Sequence, residues 1–192
     1  MPAREQTMKT KPVVILGVTG SIAAHKAVDV ASLLTKNNCA VRVVMTPDAT
    51  RFVTPLPFKT LSQHRVVTEL FDEQEDWKPV HIEWADEADL LLVAPASANT
   101  IAKLALGLAD NALTCMALAL NPLARILVAP AMNGKMWLHP ATRENVRRLR
   151  ERGAQFIGPE EGSLACGYEG IGRLWPVEAI VDQALKLLQK AG

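Results

Sequence analysis

The sequence predicts an α/β protein in which a parallel sheet is covered by helices on both faces. Short runs rich in Val, Ile and Leu alternate with longer segments of helical spacing, which is the order that successive βαβ units produce. The run Val13–Val18 is apolar throughout, as expected for a strand that is buried on both faces. Residues 21–36 then repeat apolar side chains every three or four positions, which indicates a helix. The predicted class is therefore a three-layer Rossmann-like or flavodoxin-like sheet.

The same patterns predict the elements in order. Strands are predicted at 13–18, 41–46, 90–94, 126–129 and 155–157. Helices are predicted over 21–36, 99–107, 110–120, 141–152 and 177–190, with a further helix opening near His81. Residues 47–57 are predicted to be irregular, 69–78 a polar surface segment and 163–173 a mobile, glycine-rich loop. Ligands of such sheets bind beyond the carboxyl ends of the strands, so the residues that follow each strand are the candidates for a site.

Composition argues for an ordinary globular domain. The 192 residues are 49% hydrophobic and 21% charged, with a net charge of +1, so nothing favours nucleic acid or an anionic membrane as a partner. No apolar run reaches the length of about 18 residues that a membrane span needs. Residues 1–11 are polar and lack the apolar core of a signal peptide. We therefore expect a disordered lead-in over 1–11 and a single domain over 12–192.

The cysteines favour a reducing compartment. There are three, at Cys39, Cys115 and Cys166, and no pair has CxxC spacing. Such sparse usage is unlike a disulfide framework, and it lacks the paired thiolates of a structural zinc site. We expect a cytoplasmic protein without a structural metal.

The first two strand ends favour a mononucleotide site. Glycines within 17–22 let the backbone approach a ligand, and the following helix offers N–H groups to a phosphate. A tight turn capped by Ser21 explains the same residues. The second strand ends in Thr46, where a dinucleotide site normally has an acid for the ribose hydroxyls. Asp48 follows two residues later, so a dinucleotide stays open.

The next two strand ends place polar side chains after matching Ala-Pro-Ala sequences. Ser97, Asn99 and Thr100 follow one of them, and Asn133 follows the other after the apolar Met132. Helix capping alone explains Ser97 or Asn99. Two junctions of the same kind nevertheless favour one shared pocket.

Two residue types in the chain can move protons. Cys166 lies among glycines rather than in an apolar run, so its thiol is a candidate proton donor or nucleophile. The four histidines, His25, His64, His81 and His139, are not distinguished by their surroundings in the sequence.

Several motifs in order resemble the homo-oligomeric flavin-containing cysteine decarboxylases, from about residue 12 to residue 176. Residues 46–52 fit T-x-x-A-x-x-F, 130–137 fit P-x-M-N-x-x-M-W and 165–173 fit A-C-G-x-x-G-x-G-R. Residues 97–100 (SANT) match the flavin motif, and 81–83 (HIE) match the active-site histidine segment.

The resemblance implies a role for each matching position. FMN would be held by Gly20, Ser21, Ile22, Thr46, Phe52, Ser97, Ala98, Asn99, Thr100 and Met132. His81 would act as the acid/base residue, Asn133 would bind the substrate carboxylate and Cys166 would donate a proton. Ser163, Leu164 and Ala165 would line a substrate flap.

The implied reaction is the FMN-dependent decarboxylation of 4′-phosphopantothenoylcysteine to 4′-phosphopantetheine, a step from pantothenate to coenzyme A. The acylated nitrogen of this substrate cannot form a Schiff base. Oxidation of its thiol to a thioaldehyde instead creates a C=S group that accepts the electrons released with CO₂. Reduction of the resulting enethiolate makes the cycle redox-neutral, and a flavin is suited to both hydride steps.

The resemblance also implies partners and leaves alternatives open. It implies a homo-oligomer, a trimer or dodecamer, with sites between subunits, and a phosphopantothenate–cysteine ligase as fused domain or partner. One alternative is a peptidyl-cysteine decarboxylase of lantibiotic maturation. A second is a flavin prenyltransferase, which should lack the flap that contains Cys166. A third is a non-catalytic flavin-binding regulatory subunit, although such proteins carry acidic or disordered extensions that this sequence lacks.

Overall fold

The computed structural model describes residues 11–71, 79–163, 167 and 169–189. Apart from Lys11, the predicted lead-in lies outside these residues. So do Leu164, Ala165 and Cys166 and most of the predicted polar segment 69–78. The single domain over 12–192 stays a prediction.

The main sheet is parallel. Its strands are β1 Val13–Val18, β2 Ala40–Met45, β3 Val66–Val67, β4 Leu90–Ala96, β5 Arg125–Pro130 and β6 Gln155–Phe156. They lie in the order β3-β2-β1-β4-β5-β6, and each neighbouring pair is parallel. The chain builds outward from β1 to β3 and then returns to place β4 on the other side of β1. The predicted fold class is confirmed, and β1/β4 is the point where the strand order reverses.

Helices cover both faces of this sheet. They are α1 Ala27–Lys36, α2 Pro55–Ser62, α3 Val80–Glu87, α4 Ala98–Leu106, α5 Ala112–Leu118, α6 Gly134–Leu138, α7 Pro140–Glu151 and α8 Val177–Gln189. A 3₁₀ turn, Ile22–Lys26, leads from β1 into α1. Within β1, Leu16 packs with α1, α2 and α8, whereas Ile15 packs with α3, α4, α5 and α7. This alternation produces the three layers, because successive side chains of a strand point to opposite faces.

The loop predicted over 163–173 is wrong for the residues that the structure describes there. β7, Glu160–Ser163, and β8, Glu169–Arg173, form a two-stranded antiparallel sheet. The Arg173 guanidinium donates to the Glu160 carboxylate across the pair. We call these two strands the hairpin. The segment that contains Cys166 connects them.

The irregular segment predicted over 47–57 is only partly correct. A short 3₁₀ turn covers Ala49–Arg51, and α2 begins at Pro55. A proline is favourable at the first helical position, because that N–H has no partner within the helix. The described helices include none that is both long and apolar enough to cross a membrane.

Candidate active site

The site lies where the strand order reverses. The pairing of β1 with β4 ends at Gly17 and Val93, and the chain segments beyond them separate to form a crevice. Ligands of open α/β sheets bind at such a crevice. A cavity of about 500 Å³ opens here, within the usual size range of small-molecule sites. Its described lining is Gly20, Ser21, Ile22, Ala23, His25, Lys26, Phe52, Ser97, Ala98, Ala131, Met132, Asn133, Met136, Ser163, Gly172, Arg173 and Leu174.

The walls of this larger cavity are largely apolar. Ile22 is 63% exposed, and Phe52 and Met136 are each 50% exposed, although all three are large hydrophobic side chains. Met132 and Leu174 extend the same surface inward. A cluster of exposed apolar side chains around an opening indicates a binding site. This one offers a largely apolar surface to a ligand.

A second, smaller cavity adjoins the first. Its volume is about 170 Å³, and the two cavities share Gly20 and Ser97. Its lining is mostly polar and comprises Gly20, Thr46, Pro47, Asp48, Ser97, Asn99, Thr100, Lys103, Asp110 and Asn111. A Cβ atom on Gly20 would lie 2.5 Å from the Cβ of Asp48. Glycine is therefore required for the loops after β1 and β2 to approach each other here.

Lys103 and Asp110, two of the three charged residues that line the smaller cavity, compensate each other. Lys103 Nζ lies 2.9 and 2.7 Å from the two carboxylate oxygens of Asp110. The hydrogen bond from Lys103 is the main cause that lowers the pKa of Asp110 below the ordinary aspartate value. Asn111, the next residue, caps α5 by accepting from the Thr114 N–H at 3.1 Å. This wall of the cavity therefore holds an ionised but neutralised carboxylate.

Replacing Lys103 with methionine is expected to destabilise the protein at neutral pH and to have less effect in acid. Because the folded-state pKa of Asp110 is depressed, the pair stabilises the fold above the unfolded-state pKa of about 3.9. That stabilisation is lost as the pH falls through the folded-state value. The check is thermal unfolding of wild type and Lys103→Met between neutral and acidic pH. In an Asp110→Asn background the difference should no longer depend on pH, and a difference that persists in acid would contradict the assignment.

The structure brings most of the predicted site residues to the two cavities. Gly20, Ser21, Ile22, Phe52, Ser97, Ala98, Met132, Asn133 and Ser163 line the larger cavity. Gly20, Thr46, Ser97, Asn99 and Thr100 line the smaller one. Leu164, Ala165 and Cys166 lie outside the described residues, and their roles stay predictions.

Among the described residues, His81 is the predicted site residue that lines neither cavity. It lies in the first turn of α3 and is partly exposed. Its Nδ1 is nevertheless buried, with no hydrogen-bond partner in the part of the chain that the structure describes. A single chain therefore does not bring His81 and Asn133 to the same cavity.

Asn133 lies at the start of α6, at the edge of the larger cavity. Its Oδ1 accepts from the Lys135 N–H at 2.9 Å, so the side chain is held as the helix N-cap. The preceding residue binds the hairpin, because Met132 N–H donates to the Gly172 carbonyl at 3.0 Å. A Cβ on Gly172 would lie 2.1 Å from the Met132 carbonyl oxygen, and one on Gly134 would lie 2.6 Å from that of Ile171. The two backbones thus touch through a pair of glycines.

Sequence reasoning missed several lining residues. His25, Lys26, Met136, Arg173 and Leu174 were not assigned to the larger cavity, nor were Asp48, Lys103, Asp110 and Asn111 to the smaller one. Met136 could have been found, because it follows Met132 by four residues across the start of a helix. The Asn-x-x-Thr sequence that begins at Asn111 is a helix-capping signal. The ion pair between Lys103 and Asp110 leaves no comparable signal in the sequence.

Comparison with known proteins gives a consistent set of relatives. The model of the family described as Flavoprotein matches residues 2–189. The coenzyme A biosynthesis bifunctional protein CoaBC of Bacillus subtilis is 49% identical over 173 residues, which are 90% of this chain. The chain spans 42% of the length of that relative. A probable phosphopantothenoylcysteine decarboxylase of Streptococcus mutans is 43% identical over 170 residues, covering 88% of this chain and 95% of the other.

Solved structures agree with these sequence relatives. A cysteine-to-serine mutant of PPC decarboxylase complexed with pantothenoylaminoethenethiol superposes with a TM-score of 0.84 at 35% identity, covering 93% of this chain and 99% of that one. The FMN-dependent cysteine decarboxylase SpaF superposes with a TM-score of 0.81 at 32% identity, covering 95% and 99%. The chain belongs to the Flavoprotein family.

Proposed function

We propose that this protein uses FMN to decarboxylate 4′-phosphopantothenoylcysteine to 4′-phosphopantetheine in coenzyme A biosynthesis. The observation that carries the proposal is the arrangement of the crevice. An apolar cavity and a polar cavity meet at Gly20 and Ser97, and Asn133 and the hairpin lie at the edge of the apolar one. The cavities suit a ring with a phosphorylated side chain, and their edge suits a second, reacting molecule.

The residues present fit FMN. Thr46, Ser97, Asn99 and Thr100 offer hydroxyl and amide groups in the smaller cavity, where they would hold the phosphate and the ribityl chain. Apolar surface from Ile22, Phe52 and Met132 would hold the ring in the larger cavity. Gly20 and Ser21 would contribute backbone at the junction, with Ala98 beside them. When bound, the flavin supplies reversible hydride transfer for the oxidation and reduction of the substrate.

The chain's own residues would orient the substrate and move protons. Asn133 would hold the carboxylate that is lost, which is a proximity effect. His81 would accept the thiol proton as the C–S bond is oxidised. Cys166 would protonate the α-carbon as the enethiolate is reduced, with Ser163, Leu164 and Ala165 covering the substrate. Atoms and electrons then balance over the cycle, and CO₂ is the only group lost.

A homo-oligomer is part of the proposal. His81 lines neither cavity of its own chain among the described residues, so we propose that it acts at the cavity of a neighbouring copy. The exposed apolar side chains of Ile22, Phe52 and Met136 around the opening support a contact there, because such surface is usually covered. A trimer, or a dodecamer built from trimers, would repeat this contact by symmetry.

The curated relatives support the coenzyme A branch. The relatives from Bacillus subtilis and Streptococcus mutans are more similar to this chain than SpaF is. The bifunctional relative also supports a phosphopantothenate–cysteine ligase, as a fused domain or partner, that would supply the substrate. A peptide ending in cysteine is the substrate that the alternative, a peptidyl-cysteine decarboxylase, would require.

The test is to record the absorbance spectrum of the purified protein and then to incubate it with 4′-phosphopantothenoylcysteine, following mass loss by mass spectrometry. A yellow protein that yields 4′-phosphopantetheine is the expected result. A yellow protein that is active only on cysteine-ended peptides would overturn the substrate. A colourless, inactive protein that does not respond to added FMN would overturn the whole proposal.

Asn133→Asp is the matched variant for this assay. Aspartate keeps the oxygen that caps α6, but it places a negative charge beside the substrate carboxylate. We expect a normal flavin spectrum and at least about a 100-fold loss of turnover, since like charges this close repel strongly in a cavity. Unchanged turnover would contradict the role of Asn133.

A further inference from the structure

Thr19 occupies an unusual position between β1 and β4. Its side chain is completely buried, and it lies beyond Gly17 and Val93, where the pairing of the two strands ends. Its Oγ1 donates to the Pro95 carbonyl at 2.7 Å and accepts from the Ser97 N–H at 2.8 Å. One hydroxyl therefore joins two backbone groups on the opposite side of the crevice.

The end of β4 needs this support. Pro95 has no N–H with which to continue the strand pairing, and the register between β4 and β5 shifts between Val93 and Ala96. The Pro95 carbonyl is buried and the Ser97 N–H is partly buried, and polar backbone groups removed from water are normally paired. The Thr19 side chain thus makes hydrogen bonds in place of the backbone pairing that ends at this point of the crevice.

Ser97 transmits the effect of Thr19 to both cavities. It lines the larger and the smaller cavity, and its Oγ accepts from the Thr100 N–H at 3.2 Å as the N-cap of α4. Thr19 itself is absent from the described lining of either cavity. A second hydroxyl makes the corresponding link on the other side, because Ser21 Oγ donates to the Ala131 carbonyl at 3.1 Å.

We infer that Thr19 is a positioning residue for the cofactor. Its hydroxyl holds Ser97 and the start of α4 at the distance from the loop after β1 at which the two cavities adjoin. The inference rests on the proposed function, because it takes the ligand of the joined cavities to be FMN. Thr19 would contact no ligand atom and would act through Ser97.

Thr19→Val and Thr19→Ser test this role. Valine keeps the shape of threonine but leaves the Pro95 carbonyl and the Ser97 N–H unpaired, whereas serine keeps the hydroxyl. Apo-protein titrated with FMN, followed by quenching of flavin fluorescence, should show a Kd raised about tenfold or more in Thr19→Val. Thr19→Ser should bind FMN nearly as wild type does.

Ser62→Ala is the matched control for a purely structural effect. Ser62 is also buried, donates to the Phe58 carbonyl at 2.8 Å and accepts from the His64 N–H at 3.3 Å, but it lies in α2 outside both cavity linings. Its loss should lower stability and leave the FMN Kd unchanged. Equal weakening of FMN binding in Ser62→Ala and Thr19→Val would overturn the inference, and so would unchanged FMN binding in Thr19→Val.

A measurement on the wild type covers the case in which Thr19→Val does not fold. Amide hydrogen exchange followed by NMR should show the Ser97 N–H protected to the degree of the β1–β4 ladder. Rapid exchange at Ser97 would overturn the inference. Wild-type protein that does not bind FMN would instead overturn the proposed function, so the two failures are distinguishable.

Discussion

Replacing Gly172 with alanine is expected to reduce decarboxylation by at least about 100-fold while the protein still binds flavin, since displacing a catalytic group by about 1 Å costs that much. The added Cβ would lie 2.1 Å from the Met132 carbonyl oxygen and 3.2 Å from the Gly134 nitrogen. A contact below 3.0 Å is one that real Cβ atoms essentially never make, so something must shift. The backbone at Gly172 also has φ +142°, a conformation that side chains other than glycine rarely adopt.

The hairpin should move in this variant rather than the Met132 loop. The loop is held on its other side, where the Ala131 N–H donates to the Ala96 carbonyl at 3.1 Å and Ser21 Oγ donates to Ala131. The hairpin has only two strands and meets the loop through the bond between Met132 and Gly172. Cys166, the proposed proton donor, lies in the sequence between the two strands, so displacement of the hairpin should impair the proposed protonation step. The residues that we propose to hold the flavin would stay in place.

Two further glycine variants separate this clash from backbone strain. Gly153 has φ +94°, and a Cβ there would meet nothing within 4 Å, so Gly153→Ala carries the strain alone. It should lose about 1–2 kcal/mol of unfolding free energy and keep its activity. Gly134→Ala creates a second clash between the same two segments, with its Cβ 2.6 Å from the Ile171 carbonyl oxygen, and should lose turnover as Gly172→Ala does. The measurements are turnover, flavin absorbance and thermal unfolding. Full turnover in Gly172→Ala would show that the hairpin position is unimportant.

The fold was largely predictable because buried parallel strands and amphipathic helices leave a local signal. β1 and β4 have continuous apolar runs, and their helices have clear periodicity. β3 has only two residues, Val66 and Val67, too few to show any period. In α2, Pro55 and Pro57 made the start of the helix look like a loop in the sequence, although proline is tolerated in the first turn of a helix.

The hairpin was not predictable from alternation. β8 contains Gly170 and Gly172, residues that weaken a strand and usually indicate a turn. Its position depends on the contact with the Met132 loop, which is distant in sequence. The lining residues were predictable where they follow a strand, because all the parallel strands end at the same edge of the sheet. His81 precedes a strand instead, and the sequence does not say which cavity it reaches.

Co-expressed His81→Asn and Asn133→Asp chains are expected to recover about one quarter of wild-type turnover, although each variant alone should be inactive. The reason is that a single chain does not bring His81 to the cavity that Asn133 lines. If each site takes His81 from one copy and Asn133 from another, random mixing gives each of the two contributing chains a probability of about one half of carrying the wild-type residue. The two halves multiply to about one quarter of intact sites.

A second mixture distinguishes shared sites from sites within one chain. Wild type co-expressed with the double variant His81→Asn/Asn133→Asp should also retain about one quarter of its sites if they are shared, but about one half if each chain supplies both residues. The two chains are expressed in equal amounts, and turnover per bound flavin of the whole unfractionated preparation gives the intact fraction. Recovery in the first mixture requires contact between copies, because no single chain in it carries both wild-type residues. A first mixture as inactive as its parents, with one half retained in the second, would place His81 and Asn133 of each site in the same chain.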